Sequence, residues 1–190
     1  MAYLTNNELI SLGFCKIGKN VLISDKAAIY NTKNISLGDH SRIDDFCVIS
    51  GTVDIGKYVH ITPMCLIAGG QKGVVLEDFS TLAYGVKIFS QSDDYSGTTM
   101  VNSLIPTKYK DESFAKVIIK RHVIIGAGST VFPGVTIEEG CSIGAMSLVN
   151  TSTIKWGVYV GIPAVRIKER KQDLLELEKK FLMETNNDTF

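Results

Sequence analysis

The sequence has no charge imbalance: twenty Lys and Arg stand against twenty Asp and Glu, a formal net charge of zero over 190 residues. A neutral whole-molecule field offers nucleic acid or anionic lipid nothing to read, so neither is an expected partner. No apolar run reaches eighteen residues, which excludes a membrane-spanning helix. Met1 to Phe14 holds Asn6, Asn7 and Glu8 without a basic stretch, unlike a secretory leader, and the expected location is the cytoplasm. No C-x-x-C pair occurs among Cys15, Cys47, Cys65 and Cys141, so no zinc site or disulfide is expected and the protein is read as metal-free. Histidine is scarce too, with only His40, His60 and His122 available as a neutral-pH base.

What is present is a repeat. From Ile119 to Val149 an aliphatic residue returns at every sixth position: Ile119, Ile125, Val131, Ile137, Ile143, Val149. No helix has that period. Gly126, Gly144 and the acidic Glu138 follow their leaders, and Val123, Ser129, Val135, Cys141 and Ser147 stand four after theirs. Hexapeptides of this kind mark parallel β-helices, in which each repeat supplies a strand and a corner while stacking supplies the core. Three hexapeptides close one triangular coil, and coils stack at about the 4.8 Å interstrand spacing. Ile119 is then expected over Ile137, Ile125 over Ile143 and Val131 over Val149, all pointing inward. The four cysteines fall on the small, inward fifth place as reduced core residues.

Thr5-Asn6-Asn7-Glu8 is a capping box and predicts a short helix from about Asn6 to Leu12, ended by Gly13. The repeat starts at Ile17-Gly18, slips by two residues after Ile29, resumes at Leu37-Gly38 and bulges by three near Gly69-Gly70-Gln71. Between Ile88 and Ile119 the frame breaks for a long excursion, Ser90 to about Lys116, whose Tyr95, Tyr109 and Phe114 are expected to pack on something. A loop of this length is functional or disordered. Lys155 in a leader place marks the end of the prism. From Lys168 onward the spacing of Leu174, Leu177, Phe181 and Leu182 predicts an amphipathic helix ending near Glu184, then a frayed Asn186-Asn187-Asp188-Thr189 tail. The expected chain is one all-β domain: an N-terminal helix in 1–14, a parallel β-helix of about six triangular coils in 15–165 with its loop at 90–116, and a C-terminal helix and tail in 166–190.

With the hexapeptides, the long loop and the closing Gly161-Ile162-Pro163-Ala164-Val165-Arg166, the sequence resembles the left-handed β-helix acyltransferases from about Ile17 to Arg170. Within them it is similar to the nucleotide-sugar N-acetyltransferases of O-antigen pathways. Tyr58-Val59-His60-Ile61, the run from Ile88 to Gly97 and Trp156-Gly157-Val158-Tyr159 look most like the enzymes that acetylate dTDP-4-amino-4,6-dideoxyglucose. The resemblance implies a left-handed coil, acetyl-CoA as co-substrate, a nucleotide-linked amino sugar as acceptor, and a homotrimer whose active sites lie between subunits.

A transferase using an activated thioester has to hold the acceptor, remove a proton and stabilise an oxyanion. His60, just before the inward Ile61, is the candidate base, and the alternative is a solvated corner residue. Gly69 and Gly70 follow it, where backbone can approach a ligand. Galactoside-type relatives carry a histidine at the start of the long loop, and here Asp93 takes that place, a departure that favours an amine over a hydroxyl nucleophile. Asp93 is the second catalytic candidate, able to take the amine or orient His60; Asp94, Tyr95 and Tyr84 are candidate acceptor contacts, or the loop carboxylates are polar turn caps. Lys108 and Tyr109 are placed to meet a nucleotide diphosphate and base. For the CoA arm the candidates are Gly126, Ala127, Gly144, Ala145 and Pro163, with Lys155, Arg166, Lys168 and Arg170 toward its phosphates; hexapeptide glycines and solvated helix-start charges are the plainer readings.

Three rivals keep a place. A sugar or polysaccharide O-acetyltransferase would use His60 on a hydroxyl. A carbonic-anhydrase-like metal enzyme shares the fold, but His40 and His122 fall roughly 14 Å apart along the axis and cannot share an ion within one chain. A non-catalytic prism whose loop docks a protein is the third.

Overall fold

The computed structural model describes residues 2–187, and all that follows concerns those residues. Its strands form three parallel sheets that are the faces of one triangular prism. The first face runs from Lys16–Ile17 to Thr136–Ile137, the second from Leu22–Ile23 to Gly157–Val160, and the third from Ala28–Ile29 to Leu148–Val149. Ile119 pairs with Ile137, Ile125 with Ile143 and Val131 with Val149, the registers set by the sixfold period. The leaders fill the axis: Ile23, Ile43, Ile61, Leu82 and Ile125 on the second face are fully buried. The fold is the left-handed parallel β-helix expected.

Six coils are complete, but the prism has about seven turns, because the second face gains a further rung. Tyr159 stacks on Ile143, and its hydroxyl accepts the Ile154 N–H at 2.7 Å. The last coil is shortened, so the expectation that Lys155 ends the prism is corrected: Lys155 faces out and pairs with Glu139 at 3.4 Å. Val165–Glu169 then folds back antiparallel on Gly157–Val160. Arg166 and Lys168 are therefore strand residues, and the boundary drawn at 165 runs along a continuing sheet. The C-terminal helix is Leu174–Asn187, longer than the end near Glu184 expected for it; Asp188 and Thr189 of the supposed tail lie outside the described residues.

The N-terminal helix, Asn6–Ser11, closes the other end. Both halves of its capping box form, with Thr5 N donating to Glu8 Oε2 at 2.7 Å. Leu9 is buried against the core and Leu4 packs beside it. The cap is partial, which corrects the inward placement of all four cysteines. Cys47, Cys65 and Cys141 are buried, but Cys15 in the first coil is exposed, as is Ile17 beside it. The buried thiols donate to carbonyls, Cys47 to Thr62 at 3.1 Å and Cys141 to Ile154 at 3.0 Å, so each is satisfied without a disulfide.

Corners repeat a left-handed backbone residue. On the corner between the first and second faces this residue is His40, Tyr58, Phe79 and His122 in successive coils, with φ between 55° and 60°. Such a φ costs a non-glycine residue about 1 kcal/mol. The rings form a ladder: His40 on Tyr58 at 4.8 Å, Tyr58 on Phe79 at 5.0 Å, Phe79 on His122 at 5.3 Å, all near parallel. Stacked pairs contribute about 0.5–1.5 kcal/mol each, which offsets much of the strain. The C-terminal helix seals the ladder with Phe181 edge-on to Tyr58, and Glu178 meets both His122 and Arg121. His122 is thus buried.

Candidate active site

The long loop leaves the third face after Phe89. Its base is a small antiparallel hairpin, Gln91–Ser92 against Ser113–Phe114, and the chain returns at Val117, whose N–H donates to Gly73 at 3.1 Å. Extended backbone places alternate residues on one side, so Phe89, Gln91 and Asp93 look the same way. They line a cleft of about 350 Å³ with Tyr95, Glu112 and Phe132, a volume within the range of small-ligand sites. The side chains of Gln91 and Asp93 have no hydrogen-bond partner among the described residues. Glu112 is held by Lys110 at 2.9 Å.

Asp94, one residue on, is spent on the loop itself. Its Oδ1 accepts the Ser96 N–H at 2.7 Å, and its Oδ2 accepts from Thr99 N at 3.0 Å, Thr99 Oγ1 at 2.9 Å and Thr98 Oγ1 at 3.1 Å. The bonds from Ser96, and then those from Thr99, hold its carboxyl well below the usual range. Asp94 is therefore the turn organiser of the pair and Asp93 the available carboxylate. Tyr95 is 92% exposed, and Tyr109 and Phe114 are exposed as well. The expectation that these three aromatics pack fails within the protomer. Lys108 lies over the ring of Tyr109 at 4.8 Å, apart from the cleft.

His60 opens its strand on the second face, paired with Arg42 below and Thr81 above. Its Nε2 lies 2.9 Å from Asp44 Oδ2, and Arg42 Nε donates to Asp44 Oδ1 at 2.7 Å. Asp44 is 2% exposed, so a buried carboxylate matched by one guanidinium holds a half-exposed imidazole in a fixed orientation. Asp44, not Asp93, orients His60; Asp93 stands on the loop that leaves the third face. Within one protomer the two catalytic candidates are not brought together.

Gly69 and Gly70 are packed, not open. A Cβ on Gly69 would fall 2.1 Å from the Thr52 carbonyl oxygen, and one on Gly70 2.8 Å from Gln91 Oε1. Tyr84 is exposed on the corner between the second and third faces. Ala127 and Ala145 flank the same corner. Gly126 and Gly144 are demanded by coil stacking: a Cβ on Gly126 would sit 2.4 Å from Ala145 N, and one on Gly144 2.7 Å from Val160 Cγ1. The cations gather at the closing end without forming one cluster. Arg166 pairs with Glu169 at 2.7 Å, Lys168 is exposed beside it, and Pro163 lies in the preceding turn. Arg170 is committed to the fold, its Nη1 donating to the carbonyls of His122 at 2.8 Å and Gly140 at 3.0 Å while burial pushes its guanidinium down.

Sequence reasoning passed over Asp44, Gln91, Phe89, Glu112 and Phe132. Asp44 had a signal, since it directly follows a leader at a place where two later coils carry Gly126 and Gly144. Phe89, Gln91 and Asp93 had another, the alternate spacing of a strand leaving the prism. Among the described residues no group of His, Cys, Asp and Glu is arranged to hold a metal ion, and no helix is long and apolar enough to cross a membrane.

No family model matches the chain. It is 45% identical over 184 residues to the dTDP-4-amino-4,6-dideoxy-D-glucose acyltransferase of Escherichia coli, covering 95% of both chains. AntD, an N-acyltransferase from Bacillus cereus solved in complex with dTDP and 3-hydroxybutyryl-CoA, matches with a TM-score of 0.95 at 46% identity, over 97% of this chain and 98% of that one. A variant of AntD solved with dTDP-4-amino-4,6-dideoxyglucose and coenzyme A gives the same TM-score and identity over 96% and 98%. An identity of this size along nearly the whole length shows that the chain belongs to the hexapeptide-repeat acyltransferases, in the family of the dTDP-4-amino-4,6-dideoxy-D-glucose acyltransferases.

Proposed function

We propose that this chain is an acyl-CoA-dependent N-acyltransferase acting on the amino group of dTDP-4-amino-4,6-dideoxyglucose. The observation that carries the reading is the full-length identity to the enzyme named for that substrate. The amine nitrogen attacks the thioester carbonyl, a C–N bond forms, the C–S bond breaks, and coenzyme A leaves as its thiol once the amine has lost a proton. The donor expected from sequence is acetyl-CoA; 3-hydroxybutyryl-CoA bound to AntD widens this to a short acyl group.

In this reading Asp93 takes an N–H of the acceptor amine in the cleft, with Tyr95 at its rim. His60 is the base candidate: Asp44 accepting from Nε2–H leaves Nδ1 with the lone pair. Because cleft and imidazole stand apart in one protomer, the site is completed between subunits of a homotrimer. The corner between the second and third faces supports assembly, since Phe46, Met64, Tyr84 and Met146 are all exposed along it. Arg166 and Lys168 offer charge to the CoA phosphates, Lys108 and Tyr109 to the nucleotide. The product suits O-antigen or capsule assembly, and four unpaired cysteines suit the cytoplasm.

A thiol-release assay over nucleotide-linked amino sugars, their hydroxyl counterparts and free sugars tests the reading. Release with the dTDP-linked amine and none with its hydroxyl counterpart is expected. Release only with hydroxyl acceptors would replace it by O-acylation.

A further inference from the structure

Gly70 has a positive φ of 49° and sits on the corner between the third and first faces, beneath the base of the loop. A side chain there would meet Gln91 Oε1 at 2.8 Å and Ser90 Oγ at 3.0 Å. Ser90 cannot give way: it is buried, and its hydroxyl donates to the carbonyls of Gly69 at 2.6 Å and Ala68 at 3.1 Å. Gln91 can, because its amide is the far end of a flexible side chain with no partner among the described residues. The missing Cβ of Gly70 is thus the space in which the Gln91 amide lies.

That amide shares the cleft with the Asp93 carboxylate, two residues on along the chain, and the rings of Phe89 and Phe132 line the same cleft. A carboxylate only accepts, whereas an amide both donates and accepts. The pair is matched to a sugar carrying an amine next to a hydroxyl, with the rings against its apolar edge.

We infer that Gln91 binds the hydroxyl neighbouring the acceptor amine, and that Gly70 is a positioning residue that keeps the Gln91 amide in the cleft. The inference rests on the acyltransferase reading and adds to it the residue that reads the acceptor's second polar group. A glycine at this place then serves specificity as well as the bulge it occupies.

The test compares Gln91→Ala, Gly70→Ala and the double variant in steady-state acylation of dTDP-4-amino-4,6-dideoxyglucose, measuring KM for acceptor and for acyl-CoA separately. Gly70→Asn serves as a second form of the glycine variant, since Asn tolerates the left-handed region. Loss of one hydrogen bond predicts about a tenfold rise in acceptor KM for Gln91→Ala. The glycine variants are expected to show a similar rise, acyl-CoA KM to stay at wild type, and the double variant to be no worse than Gln91→Ala alone. An acceptor lacking the hydroxyl beside its amine is expected to lose the same factor with wild-type enzyme and nothing further with Gln91→Ala. A wild-type acceptor KM in Gln91→Ala, or effects of Gly70 and Gln91 that multiply, overturns the inference while leaving the function reading intact. Wild-type enzyme that acylates no amino sugar overturns the function reading instead.

Discussion

Two corners of the prism use the same backbone device and end in opposite environments. The corner between the first and second faces carries His40, Tyr58, Phe79 and His122 in a left-handed conformation, and so does the corner between the second and third faces with Phe46, Met64 and Met146. The first is roofed by the C-terminal helix; the second is bare, with all three of its residues exposed. Coil stacking therefore fixes the backbone at a corner but not what the side chain there is for. One corner has been used to close the molecule on itself, and the other is left exposed.

The harshest substitution removes the prism that both corners share. Ile125→Asp places an unpaired charge among fully buried leaders, and its desolvation exceeds what a marginally stable fold can absorb. No cooperative thermal transition is expected in circular dichroism, and both corners are lost together. Next in size is the loss of the candidate base on the second face between them: if His60 is the base, His60→Ala should lower kcat about 10²–10⁴-fold, the usual range for a positioned base, with the fold intact. An unchanged kcat would return His60 to a solvated surface residue.

The bare corner is addressed by Phe46→Glu together with Met64→Glu: if the proposed homotrimer forms through it, the variant should be a folded monomer by light scattering and lose activity, while the wild type is a trimer. A folded trimer would show that this corner is not the interface. At the roofed corner Tyr58→Ala removes two stacked neighbours and should cost about 2 kcal/mol in denaturant unfolding. The smallest effect is in pH. Burial, and then the Arg121 guanidinium, hold the His122 imidazole below its ordinary range, the charge of Glu178 being already matched by Arg121. A lowered histidine binds fewer protons folded than unfolded, so stability is present above the ordinary histidine pKa of about 6.5 and declines as pH falls below it. His122→Gln should flatten the slope of Tm against pH between about 7 and 5, and a slope unchanged from wild type would contradict the assignment.

Registers such as Ile125 over Ile143 were legible because a period of six admits one stacking. The seventh rung was hidden, since Tyr159 is reached only by shortening a coil, which breaks the frame that made the earlier ones visible. Asp93 was singled out by its place at the head of the loop, but its separation from Asp94 was not foreseen, because both are carboxylates in one turn and only the bonds from Ser96 and Thr99 distinguish them. Asp44 as the partner of His60 was missed because the two are far apart in sequence and meet only through coil stacking. The four-ring ladder was missed for the same reason: aromatics at the variable fourth place look unrelated until the coils align them.

The decisive measurement is the identity of the product. Incubated with acetyl-CoA and dTDP-4-amino-4,6-dideoxyglucose, the protein should return the nucleotide sugar with an amide on its C4 nitrogen, read by mass spectrometry and NMR, with one thiol released per amide formed. An ester on a sugar oxygen, or the amine recovered unmodified with every short acyl-CoA supplied, would contradict it.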